Sequence, residues 1–134
     1  MRTTARETLF KILFSSQFSD EIDANLKSAL YKTEKLDDKD IDYCERIFKI
    51  IEDKRGEFTA LLDKHSYSFP EKRIYPADKS ILLISLSEIL YCDDVPDKVS
   101  VNEAANIASK YSSEKSASFI TGILSSVIGG KNNV

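Results

Sequence analysis

The sequence predicts an all-α protein, on three observations. Apolar residues recur every three or four positions along most of the 134-residue chain, no stretch shows the alternation of a half-buried strand, and Asp, Ser and Pro stand where helices would begin. This length suits one domain that buries roughly two thirds of its unfolded surface, expected over 1–128 with a frayed tail at 129–134. Hydrophobic residues at 42% and charged residues at 31% describe an ordinary globular composition. No apolar run approaches the ~20 residues a membrane span requires. The opening residues alternate apolar with charged side chains, unlike a signal peptide, so a cytoplasmic protein is expected.

In chain order, residues 3–18 read as an amphipathic helix with Ala5, Leu9, Ile12 and Leu13 on one face. Arg6, Phe10 and Gln17 share a sector beside that stripe, and the plain reading of the sector is a solvated shoulder with its aromatics packed inward. A second helix is expected from Asp20 or Glu21, with Asp20 a plausible cap, to about Glu34, burying Ile22, Leu26, Ala29 and Leu30. A long helix follows from about Asp38 to Ser66, its stripe running through Cys44, Phe48, Ile51, Arg55, Phe58, Leu62 and His65. Gly56 marks a place where it kinks or divides. Residues 67–75 form a loop around Pro70.

Ala77–Tyr91 is apolar on nearly every side and is too long for a typical strand, and Pro76 suits a first helical turn, so the segment reads as a buried central helix. Asp93–Pro96 turn the chain. Ser100 and Glu103 then have capping-box spacing, with Val99 and Ala104 placed as a hydrophobic staple. Another amphipathic helix runs to Tyr111, and Ser112 or Ser113 restarts the chain at Glu114. The last helix buries Ala117, Ile120, Ile123, Leu124, Val127 and Ile128.

Cys44 and Cys92 lack metal-ligand spacing and read as small buried residues; His65, the lone histidine, reads as a packing residue. Dinucleotide, P-loop, zinc-ribbon and hydrolase-elbow motifs lack their minimum parts, which favours a binding protein without cofactor, metal or small-molecule substrate over an enzyme. A net charge of -3 means that any nucleic acid would be held by a local basic patch or through a partner. Two places offer such chemistry: Arg2 and Arg6, one turn apart, and Lys115 beside Phe119, four residues apart at the edge of the last stripe. A cation beside an aromatic can hold a phosphate and stack a base. Inward packing of Phe119 is the competing reading.

The segment DDVPDKVSVNEAANIA resembles the hallmark of the NusB family of bacterial transcription antitermination factors. TARETLFKILF resembles the family's opening helix, and EKSASFITGILSSV its final one, EKSxxFVNGVLD. The resemblance implies about seven helices in two small bundles packed at a steep angle. It further implies binding of boxA-type single-stranded RNA from ribosomal RNA leader transcripts, together with a small-subunit ribosomal protein, as part of an RNA polymerase antitermination complex. Carried over by position, the RNA-facing residues are Arg2, Thr3, Thr4, Arg6, Lys115 and Phe119, and the partner-facing residues are Phe14 and Asp78. Thr3 and Thr4 stand where the family has cations, Ser109 where it commonly has Lys, Thr121 where Asn is usual and Ser125 where Asp is usual. Weak RNA binding without the partner is therefore expected. The alternatives are a protein-binding helical module or homodimer without specific RNA activity, and an RNA-modifying enzyme, which would need a Gly-rich cofactor loop that this sequence lacks.

Overall fold

The computed structural model describes residues 2–17, 22–67 and 70–132. Within them the chain forms α1 (Arg2–Ser16), α2 (Ala24–Thr33), α3 (Asp38–His65), a 3-10 turn (Glu71–Arg73), α4 (Pro76–Tyr91), α5 (Asp97–Tyr111) and α6 (Glu114–Asn132). No strand occurs among the described residues. The helices form two groups, α1–α3 and α4–α6, and α4 packs against α1 and α3 on one side and α5 and α6 on the other. That position explains why α4 has no solvent face: Ile81, Leu82, Leu83, Ile84, Leu86 and Ile89 are all buried. Each such side chain contributes about 1.5–3 kcal/mol. The buried Ser85 and Ser87 hydroxyls donate to the carbonyls of Ile81 and Leu83, at 2.9 and 2.8 Å, so neither is left without an acceptor.

Several local expectations are corrected. The Asp20 or Glu21 start of α2 lies outside the described residues, whereas Asp23 caps the helix by accepting from the backbone of Asn25 and Leu26. α2 buries none of its residues fully, and Ala29 is exposed. It is fastened by side chains instead, with Lys27 and Tyr31 both on Glu45 and Lys11 on Glu34. In α3 the backbone leaves helical values at Lys54 (φ -112°, ψ 15°), two residues before Gly56. The kink carries the buried stripe from Ile51 to Phe58 and leaves Arg55 exposed.

The Ser100–Glu103 capping box does not form. Pro96 sets the start of α5 at Asp97, which places Ser100 already inside the helix, and Val99, at 40% exposure, makes no staple. At the next junction Ser113 is the cap, its Oγ accepting from the Ser116 backbone at 3.0 Å. α6 does not end at residue 128. It continues through Asn132 because Lys131 Nζ reaches the Ile89 carbonyl at 2.8 Å and the Asp97 carboxylate at 3.2 Å. Residues 133 and 134 lie outside the described residues. No described helix is long and apolar enough to cross a membrane.

Candidate functional site

The exposed chemistry of α1 rests on a buried acid. Glu88, in the middle of α4 and 1% exposed, accepts four hydrogen bonds. Arg6 donates through Nε to Oε2 at 2.8 Å and through a terminal nitrogen to Oε1 at 3.0 Å. Ser100 Oγ donates to Oε1 at 2.8 Å, and the Tyr43 hydroxyl donates to Oε2. The four side chains come from α1, α3, α4 and α5, so one carboxylate ties together the two helix groups. Burial pulls the Arg6 pKa down, but the bond to Glu88 and its charge outweigh that and hold it above the ordinary arginine value. Burial, reinforced by the Glu88 charge, drives the Tyr43 phenol far up, so it remains a donor.

This arrangement corrects two expectations about Arg6. It is 4% exposed, and its fork is committed to Glu88, so it is neither a solvated shoulder nor an outward RNA contact. In the same sector Phe10 packs inward as expected of the aromatic, and Gln17 turns inward as well. Phe10 packs on Tyr111 with centroids 5.0 Å apart, and Gln17 donates to Ser80 Oγ at 3.1 Å. Arg2, one turn before Arg6, is the outer layer. Its guanidinium lies 4.1 Å from the centroid of the Tyr43 ring, whose hydroxyl is fixed by Glu88. Thr3 Oγ1 donates to Glu103 Oε1 at 3.1 Å, and Thr4, half-buried, gives its carbonyl to the Thr8 hydroxyl. Ser100 and Glu103, which form no cap, therefore brace the α1 N-terminus.

Lys115 and Phe119 lie elsewhere on the surface. Lys115 is exposed and Phe119 half-buried, on the first turns of α6. They follow the α5–α6 junction, where Tyr111 meets Phe10, two turns along α1 from Thr3. Asp78 anchors the same junction and does not face outward as expected of a partner contact. It is 2% exposed and accepts from Ser116 Oγ at 3.1 Å and Ser112 Oγ at 3.3 Å. Burial raises its pKa, and the two serine hydroxyls only partly offset this. Phe14 is at the surface, 36% exposed, with its ring stacked on Phe10 at 5.8 Å.

Cys44 and His65 read as structural. Burial pushes the Cys44 thiol up to about 12, with its proton directed at the Ala5 carbonyl, so the thiol is unreactive. His65 is hydrogen-bonded through Nδ1 to Ser126 Oγ at 2.7 Å, and burial lowers its pKa. Sequence reasoning missed Glu88 and Tyr43. The available signal was a lone carboxylate in the middle of a helix with no solvent face, which demands a buried cation.

Fold and surface together define a helical scaffold protein that displays cations and aromatics from its first and last helices. The NusB family model matches residues 2–129. A transcription antitermination protein NusB from Clostridium botulinum is 35% identical over 144 residues, covering 95% of this chain and 99% of the relative. The chain belongs to the NusB family. Among solved structures, T. maritima NusB superposes with a TM-score of 0.83 at 27% identity, covering 95% of this chain and 89% of that one. A crystal structure of antitermination factors NusB and NusE in complex with double-stranded RNA gives a TM-score of 0.85 at 18% identity, covering 96% of each chain, and shares the fold.

Proposed function

We propose that this protein is a transcription antitermination adaptor. It binds boxA-type single-stranded RNA of ribosomal RNA leader transcripts jointly with a small-subunit ribosomal protein, and in the cytoplasm it promotes read-through by RNA polymerase. The observation that carries this reading is the family match over residues 2–129, almost the whole described chain. The geometry supports it with two surface clusters of suitable chemistry. Arg2, Thr3 and Thr4 stand at the α1 N-terminus, and Lys115 and Phe119 stand at the start of α6. In this reading Arg2 contacts phosphate, Thr3 and Thr4 offer hydroxyls, and Phe119 stacks a base beside the Lys115 ammonium. Arg6 acts from beneath, holding the Tyr43 platform through Glu88.

Phe14 is the partner-facing aromatic, and Asp78 serves the partner indirectly by fixing the α5–α6 junction. The protein works by binding and performs no catalysis. Fluorescence anisotropy with a boxA-like RNA and a scrambled RNA, each with and without the ribosomal protein, tests the proposal. The partner-bound protein is expected to prefer boxA-like RNA. Replacing Phe119 by Ala should weaken that complex about fivefold or more, given ~1–3 kcal/mol per stacked base. Equal affinity for both RNAs in the presence of the partner would instead leave a protein-binding helical module.

A further inference from the structure

Beside Arg2 the surface sinks into a cleft of about 290 Å³ lined by Arg2, Lys39, Asp42, Tyr43, Arg46 and Asp94. On α3, residues 39, 42, 43 and 46 have the spacing of one helical face, so the lysine and the arginine flank the tyrosine that carries Arg2. Three cations thus line the cleft against two carboxylates, Asp42 and Asp94, where the opening run of the sequence is short of basic residues, with Thr3 and Thr4 in their place. Arg46 is held at 3.3 Å by Asp94, and both side chains are substantially exposed, at 42% and 57%. Such an exposed pair contributes little stability and is readily exchanged for another anion.

We propose that this α1–α3 cleft is a phosphate-binding subsite for the RNA backbone, in which Lys39 and Arg46 supply charge that the opening helix lacks and Asp94 is the anion the phosphate displaces from Arg46. The inference rests on the RNA-binding reading above and extends it to residues on α3. Backbone phosphates fit the cleft better than an acidic peptide does, because Arg2, the phosphate contact of the reading above, lines it. Contact with phosphate carries no base information, so the subsite adds affinity and leaves sequence preference unchanged.

The test measures RNA affinity against salt concentration in the presence of the ribosomal protein, for the wild type, K39A/R46A, D94N and F119A. The double variant is expected to weaken boxA-like and scrambled RNA by the same factor. It should also flatten the plot of log affinity against log salt by about 1.4, twice the ~0.7 of one single-strand phosphate. D94N, which removes the competing carboxylate, should tighten both RNAs about twofold or more. A merely structural Arg46–Asp94 pair would give no gain in D94N. An unchanged slope in K39A/R46A with no gain in D94N, while F119A still weakens binding, overturns the subsite and leaves the adaptor reading standing. Loss of ribosomal-protein binding in K39A/R46A with an unchanged RNA slope would reassign the cleft to protein and overturn it as well. Absence of wild-type RNA binding overturns both.

Discussion

Replacing Glu88 by Gln tests whether the buried acid organises the molecule. Gln keeps the shape and one acceptor oxygen, but it places an NH2 group where Glu88 Oε2 receives Arg6 Nε and the Tyr43 hydroxyl. The Arg6 side chain is 5% exposed, so its cation would remain buried without a counter-charge. Glu103 is the other carboxylate near it, at 3.8 Å, too far for a strong bond. Removing one partner of a buried ion pair costs about 3–5 kcal/mol, a large part of the ~5–15 kcal/mol that a domain possesses. For a chain of this size about 3–4 °C accompanies each kcal/mol, so the melting temperature should fall by about 10–20 °C.

Urea denaturation followed by circular dichroism, with thermal melts alongside, measures the loss. The double variant R6M/E88Q separates buried charge from general disruption. Met fills the space of the arginine stem, and the Gln amide can still partner the Ser100 and Tyr43 hydroxyls. The double variant is therefore expected to be more stable than E88Q alone, with a coupling energy of at least ~1 kcal/mol. A loss below ~1 kcal/mol in E88Q, or strict additivity in the double variant, would refute the argument.

Asp78 should make stability depend on pH. Its folded pKa is raised, so between the unfolded value of 3.8 and the higher folded value the native state holds more protons, and stability falls as pH rises through that window. D78N should flatten the slope and be at least as stable as wild type at neutral pH, as urea melts across the acidic range would show; a large loss at neutral pH contradicts this. Lys35 occupies left-handed backbone at φ 53° just beyond α2. Lys35→Gly should stabilise the protein by ~0.5–1 kcal/mol, and a lower denaturation midpoint would count against it. Lys131→Ala should release the last turn of α6 from Ile89 and Asp97. Amide exchange there should accelerate at least fivefold, about 1 kcal/mol of local stability, and unchanged protection would show that the lysine is not what holds the turn.

The helices themselves were legible because each is set by neighbours three or four residues away. Pro76 and the all-round apolar face of α4 sufficed to place the central helix. Interactions across the fold were not legible. Glu88 meets partners 82, 45 and 12 positions away in sequence, and no periodicity reports such pairings. The capping-box spacing of Ser100 and Glu103 misled because Pro96 had already begun the helix. The tail from residue 129, without apolar periodicity, likewise read as frayed, whereas Lys131 finds acceptors on α4 and α5 that extend α6 into it. For the surface, the sequence placed Lys115 and Phe119 at a helix edge, and the fold keeps Lys115 exposed and Phe119 half-buried. Arg6 and Asp78 could not be oriented from spacing, since each is drawn inward by groups on other helices.

These inward residues change what the signature segment after α4 does. Ser100 and Glu103 belong to it, and neither serves its own helix terminus. Ser100 completes the coordination of Glu88, and Glu103 takes the Thr3 hydroxyl. Through Glu88, Ser100 is tied to Tyr43, the ring on which Arg2 lies. An arginine held over a fixed ring loses less side-chain entropy on meeting phosphate than a free one, whose rotamer freedom is worth ~2 kcal/mol. The segment that looks like pure scaffold is thus coupled to the α1 N-terminus through one carboxylate, which takes one hydrogen bond from Ser100 and two from Arg6. Substitutions at Glu88 or Ser100 should accordingly weaken RNA binding even at temperatures where the fold survives, through Arg2 and without touching the RNA.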